Sequence, residues 1–173
     1  TNNGGDYGFA LAVDGAGNVY TTGRSDIIGG LQKYTTLKYD ASGNLASGWP
    51  CIYSGPLSTS FDQSQAIKVD LNGNTYITGK SGLTNSDYLT LKINSGGIVQ
   101  WAKKYNGTQN GEDNAVAIIL DNTATNVYVG GYSFKAGGVQ DYMTIRYAAS
   151  TGDSNAAASY NGPLSSTDQL TAM

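Results

Sequence analysis

All but one of the 13 acidic residues in this chain are Asp, and the exception is Glu112. Carboxylates are therefore the side chains closest to doing chemistry here. Glycoside hydrolysis needs two acids facing one cleft. Glu112 adjoins Asp113, however, and neighbours on a strand point to opposite faces. Asp26, Asp87, Asp141 and Asp153 fall in loops or at strand starts, with no partner evident from spacing. The chain contains no histidine. That removes the commonest general base, the commonest metal ligand and every Ser–His or Cys–His nucleophile system. No catalytic residue, no cofactor and no enzymatic activity are expected. Cys51 is the single cysteine, so no internal disulfide forms. It reads as a buried, inert thiol, with intermolecular pairing as the other reading.

Metal binding has one sequence-level pointer. Residues 14–18 and 70–74 are Asp-x-x-Gly-Asn turns, and 70–74 begins like a calcium loop. Its sixth place, which calls for Gly, is Thr75, and its twelfth, which calls for Glu, is Ser81. An Asx-turn explains these residues without an ion, so no metal site is expected. Lys38, Lys92 and Arg146 recur at one repeat position. They would form either a ring of cations along an axial channel or ion pairs with the recurring Asp6, Asp62 and Asp113. Tyr20, Tyr76 and Tyr128 recur mid-strand as packing residues. The aromatics that break the repeat, Phe61, Tyr132 and Phe134, are the candidate ligand-binding residues, together with the loops 26–32, 82–86 and 134–140.

These residues are carried by an internal repeat. Ala10-Leu11-Ala12-Val13-Asp14, Ala66-Ile67-Lys68-Val69-Asp70 and Ala117-Ile118-Ile119-Leu120-Asp121 each follow an Asp (Asp6, Asp62, Asp113) that lies eight residues before the last. Each run leads to Tyr-x-x-Gly-x-Ser, as in Tyr76-Ile77-Thr78-Gly79-Lys80-Ser81. A second segment starts at Tyr34, Tyr88 and Tyr142. Each unit then closes on Ser54-Gly55-Pro56, Asn106-Gly107-Thr108 or Asn161-Gly162-Pro163. The repeats run 6–61, 62–112 and 113–167, and a fourth starts at 168–173. In the first unit, strands are expected around 8–13, 18–23, 33–40 and 45–53, with matching spans later. Alternation within them and Gly/Asn at the turns support β-hairpins. Four short antiparallel strands per ~50 residues predict a β-propeller blade. The expected fold is all-β, a single partial β-propeller domain over the whole chain with an incomplete ring. Three units are too few to close a ring. Either copies of the chain join as a homo-oligomer, or further blades belong to a longer parent chain.

The compound motif resembles the SBBP-type bacterial beta-propeller repeat. That family's pattern is I-A-V-D-x-x-G-N-x-Y-V-T-G-x-S, then D-Y-x-T-[IL]-K-Y and W-x-x-x-Y-N-G. Here Lys33 replaces the Asp before Tyr34, the third unit has one extra residue in its first turn, and it lacks the Trp. The resemblance implies a secreted or cell-surface bacterial setting rather than a particular molecular role.

Composition agrees with many short strands and excludes other classes. Charged residues make up only 13%, whereas the chain has 24 Gly and 13 Tyr residues. The net charge of −3 and the lack of any basic cluster beyond Lys103-Lys104 argue against nucleic acid. No apolar run approaches the ~18 residues of a membrane span, so no membrane insertion is expected. The chain reads as an extracellular scaffold for a protein or glycan partner. A lectin-like carbohydrate-binding propeller and part of a carbohydrate-active enzyme are the alternatives.

Overall fold

Hairpin formation is written into the turns. In the turn between the first two strands, the Asp14 carboxylate accepts hydrogen bonds from the backbone N–H of Ala16 and Asn18, from the Asn18 amide and from the Tyr20 hydroxyl. Asp70 repeats the set with Asn72, Asn74 and Tyr76, and Gly73 takes the positive φ of 74° that the turn requires. Asp121 does the same with Thr125 and Asn126. Asp40 and Asn94 organise the turns after the third strands in the same way.

The computed structural model describes residues 4–27, 29–55, 61–164 and 166–170. Among these it is all-β, with twelve strands in two sheets, no helix and no closed barrel. The strands form three four-stranded antiparallel meanders. The first comprises β1 (Asp6–Val13), β2 (Val19–Ile27), β3 (Leu31–Tyr39) and β4 (Cys51–Tyr53). The second comprises β5 (Phe61–Val69), β6 (Thr75–Gly82), β7 (Asp87–Ile93) and β8 (Val99–Tyr105). The third comprises β9 (Asn114–Leu120), β10 (Asn126–Phe134), β11 (Gln140–Ala148) and β12 (Ser154–Tyr160). Ile28, Pro56 at the first unit's close, and 171–173 of the fourth-unit start lie outside the described residues.

The fourth strand of the first unit is shorter than expected. Pairing is confined to Cys51–Tyr53, preceded by one isolated bridge between Tyr39 and Leu45. Gly48 at a φ of 84° and Pro50, which has no N–H to pair, interrupt the ladder over the rest of the expected span.

The meanders stack face to face. Tyr20, Tyr34, Trp49 and Cys51 of the first pack on Ile67, Ile77, Leu91 and Ile93 of the second. Tyr76, Tyr88 and Trp101 of the second pack on Ile118, Val127, Val129 and Ile145 of the third. At each contact the tyrosine leading the third strand reaches across. Tyr34 donates to the Leu89 carbonyl at 3.1 Å and Tyr88 to the Met143 carbonyl at 3.3 Å.

The chain also stitches unit to unit. Gln32 and Phe61 form a parallel bridge. The Asp113 N–H donates to Ser86 O, and the Asp168 N–H to Gln140 O, both at 2.6 Å. The carboxylates of Asp62, Asp113 and Asp168 accept from the closing-loop N–H of Gly55, Gly107 and Gly162 at 2.7, 2.5 and 2.6 Å.

Candidate functional site

One rim of the stack gathers the starts of β5 and β9 and the ends of β2, β6 and β10. The stitches there hold the backbone rigid, and the residues that differ between repeats stand above them. Phe61 opens β5, and its partner across the ladder is Gly82. Phe61 is 40% exposed and lines a cavity of about 280 Å³ between the first two units, with Arg24, Gln32, Gln63, Lys80 and Glu112. Tyr132, from β10, lines a neighbouring cavity of about 410 Å³ with Phe9, Gln65, Val116 and Leu170, and Gln63 borders both. The Tyr132 hydroxyl accepts from the Asn114 amide at 3.3 Å. Phe134 folds onto Gly111 and lines neither cavity. The structure thus brings Phe61 and Tyr132 to adjoining cavities and turns Phe134 to packing.

The polar wall of the Phe61 cavity is preorganised. The Arg24 guanidinium lies 4.5 Å from the centre of the Tyr7 ring. Its Nη1 donates to the side-chain oxygens of Gln32 at 3.0 Å and Gln63 at 3.2 Å. Its Nε is buried without a hydrogen bond, 3.9 Å from Asp26. Lys80 Nζ stands 3.7 Å from Glu112 Oε1, beyond hydrogen-bond length. This cluster is not evident from motif reading, because its members come from five separate segments. Two signals point to it in retrospect. Glu112 is the lone glutamate, and Arg24 and Lys80 share one repeat position that the third unit gives to Tyr132.

The other sequence candidates resolve differently. Lys38 and Lys92 lie over the rings of Tyr20 and Tyr76, 5.1 and 5.3 Å from their centres, and Lys92 also donates to Ala149 O. Arg146 donates to Asn155. Lys38 and Lys92 thus cover tyrosines on the stacking face, and among the described residues none of the three cations pairs with Asp6, Asp62 or Asp113. The turn aspartates are saturated by their own turns. The Asn126 amide and the turn N–H groups hold Asp121 below the usual carboxylate range. Among the described residues no group of three or more acidic, Cys or His side chains could hold a metal. Burial pushes the Cys51 thiol up, away from the reactive thiolate.

At the unit junctions, the replacement of Asp by Lys33 has a physical reading. Lys33 Nζ lies 3.9 Å from Asp62. At the equivalent place in the second junction Asp87 sits buried near Asp113. Burial and the Asp113 charge push its carboxyl up, while Lys104, 2.5 Å away, pulls it down. Lys104 of β8 thus supplies the cation that Lys33 of β3 supplies in the first junction.

Comparison with protein-family models and with curated proteins returns no match to this chain.

Proposed function

We propose that the chain is a segment of a β-propeller, three consecutive blades at 6–61, 62–112 and 113–167 with the start of a fourth at 168–173. It serves as a non-enzymatic structural and interaction scaffold of a secreted or cell-surface bacterial protein. The observation that carries this reading is the repeated stacking. Two successive junctions use the same tyrosine reach, the same aspartate latch and the same backbone stitch. A third latch already holds Asp168. Two faces remain for further blades. On the first unit Leu11 is 68% exposed, where its counterpart Ile67 is 5% exposed. On the third Tyr142 is 37% exposed, where Tyr34 and Tyr88 are fully buried. The motif resemblance supports the bacterial, extracellular setting. The absence of histidine and the single glutamate support a role without catalysis.

Native mass spectrometry of the purified chain tests the reading. The expected result is concentration-dependent association that Leu11→Lys and Tyr142→Lys each abolish. A wild-type chain that stays strictly monomeric at high concentration would show that these faces need no covering, and the ring reading would fall.

A further inference from the structure

We propose that the cavity under Phe61 binds a single neutral pyranose ring, such as the terminal sugar of a glycan. Every residue in it comes from the first two units, so the site does not depend on how the stack is completed.

The apolar half of the site is the Phe61 ring. Its cross-strand partner Gly82 has no side chain to cover it. The same repeat position holds Glu112 in the next unit and Thr167 after that, so stacking of the units does not call for an aromatic. A ring kept open at a rigid rim offers a flat apolar surface to one C–H face of a sugar. The polar half is set by Arg24. Its bonds to the oxygens of Gln32 and Gln63 fix the amide orientation, which leaves the NH₂ groups of these two lining residues as the donors available to a ligand. Lys80 and Glu112 stand 3.7 Å apart, so the ammonium keeps its donors and the carboxylate its acceptors. A pair of adjacent hydroxyls satisfies both: one donates to Glu112 while its neighbour accepts from Lys80.

Charge and size narrow the class. Arg24 stands beside Asp26, which lies outside the lining, and Lys80 beside Glu112, so each cation has a carboxylate near it and the site presents no uncompensated cation that would select a uronate over a neutral sugar. The volume of about 280 Å³ lies at the lower edge of ligand pockets, which run ~300–1,000 Å³. That suits one sugar ring rather than a chain.

Saturation-transfer NMR on the full chain, with methyl glycosides of glucose, galactose, mannose and N-acetylglucosamine and with methyl glucuronide, tests the site. At least one neutral glycoside is expected to bind, with saturation strongest on the C–H protons of one ring face. Phe61→Ala and Glu112→Gln are each expected to weaken binding at least tenfold, and Phe61→Tyr to retain it. Phe61 and Glu112 are exposed, so an unchanged melting temperature in each variant separates loss of the site from loss of the fold. Three results would overturn the assignment. One is no binding of any glycoside up to ~50 mM, where even a site with a Kd of ~10 mM is mostly occupied. The others are binding undiminished in both variants, and a preference for the glucuronide.

Discussion

Asp113 is fully buried, and its two oxygens accept from the N–H of Gly107 and of Phe134. One side chain therefore ties the end of β8 and the end of β10 to the start of β9. Asp113→Ala would leave one buried and one part-buried donor without its partner. Charge-assisted bonds are worth ~1.5–3 kcal/mol each, so the expected loss is about 3 kcal/mol, a fall in melting temperature of roughly 6–12 °C by calorimetry. Asp40, whose bonds lie in an exposed turn, provides the contrast, and Asp40→Ala should shift the midpoint far less. The buried tyrosines set the alkaline limit. Burial holds Tyr147 up to about 12, holds Tyr76 and Tyr88 up further, and pushes Tyr34 well above the usual tyrosine value. An unfolded chain ionises tyrosine near pH ~10. Their contribution to stability is complete below that pH and is lost as pH rises from about 10 towards 12, because the unfolded state releases its protons first. Melting temperature measured between pH 8 and pH 12 should be flat and then fall, with the buried tyrosines adding their tyrosinate absorbance only as the chain unfolds.

At the scale of elements, the glycine of Tyr-x-x-Gly-x-Ser has a packing role. The first strand of each unit is irregular near its start: register shifts fall between Gly8 and Ala10, between Ser64 and Ala66, and opposite Gly130 and Gly131. The bulged strand crowds the glycine facing it. A Cβ at Gly23, Gly79 or Gly131 would fall on the carbonyl oxygen of Tyr7, Gln63 or Asn114. At Gly79 and Gly131 it would also meet the hydroxyl of Tyr34 or Tyr88 arriving from the preceding unit. One small residue thus accommodates both the bulge and the inter-unit tyrosine. Gly79→Ala should cost about 2–3 kcal/mol, as overpacking does, read as a lower urea midpoint. Gly15→Ala, where nothing lies within 4 Å, should be close to neutral.

At the scale of the molecule, burial is greatest in the middle of the stack. β7 is buried along nearly its whole length, whereas every residue of β12 is exposed and β1 is mostly so. Stability in a stack of repeats is a sum over units and their nearest-neighbour contacts, so the outer strands should open first. Hydrogen exchange of the dilute chain should be slowest in β6 and β7 and fastest in β12. Protection of β1 and β12 should rise with concentration if their faces are covered by copies of the chain. Uniform protection across all three units would contradict this ordering.

The sequence alone was enough for the all-β class and the hairpins within each unit. Those depend on local chemistry: Asp and Asn closing their own turns, alternation along strands, and residues repeated at one spacing. It also separated Phe61 and Tyr132 from the recurring tyrosines, because a residue that breaks a repeat is visible as such. Three things needed the tertiary structure. Lys38 and Lys92 settle over tyrosine rings because the units stack on that face, a contact that repetition along the chain does not encode. Phe134 turns to packing because Gly111, from a different segment, leaves room for its ring. The polar wall of Arg24, Gln32, Gln63, Lys80 and Glu112 forms only where two units meet, since five segments distant in the chain converge there and none carries a motif by itself.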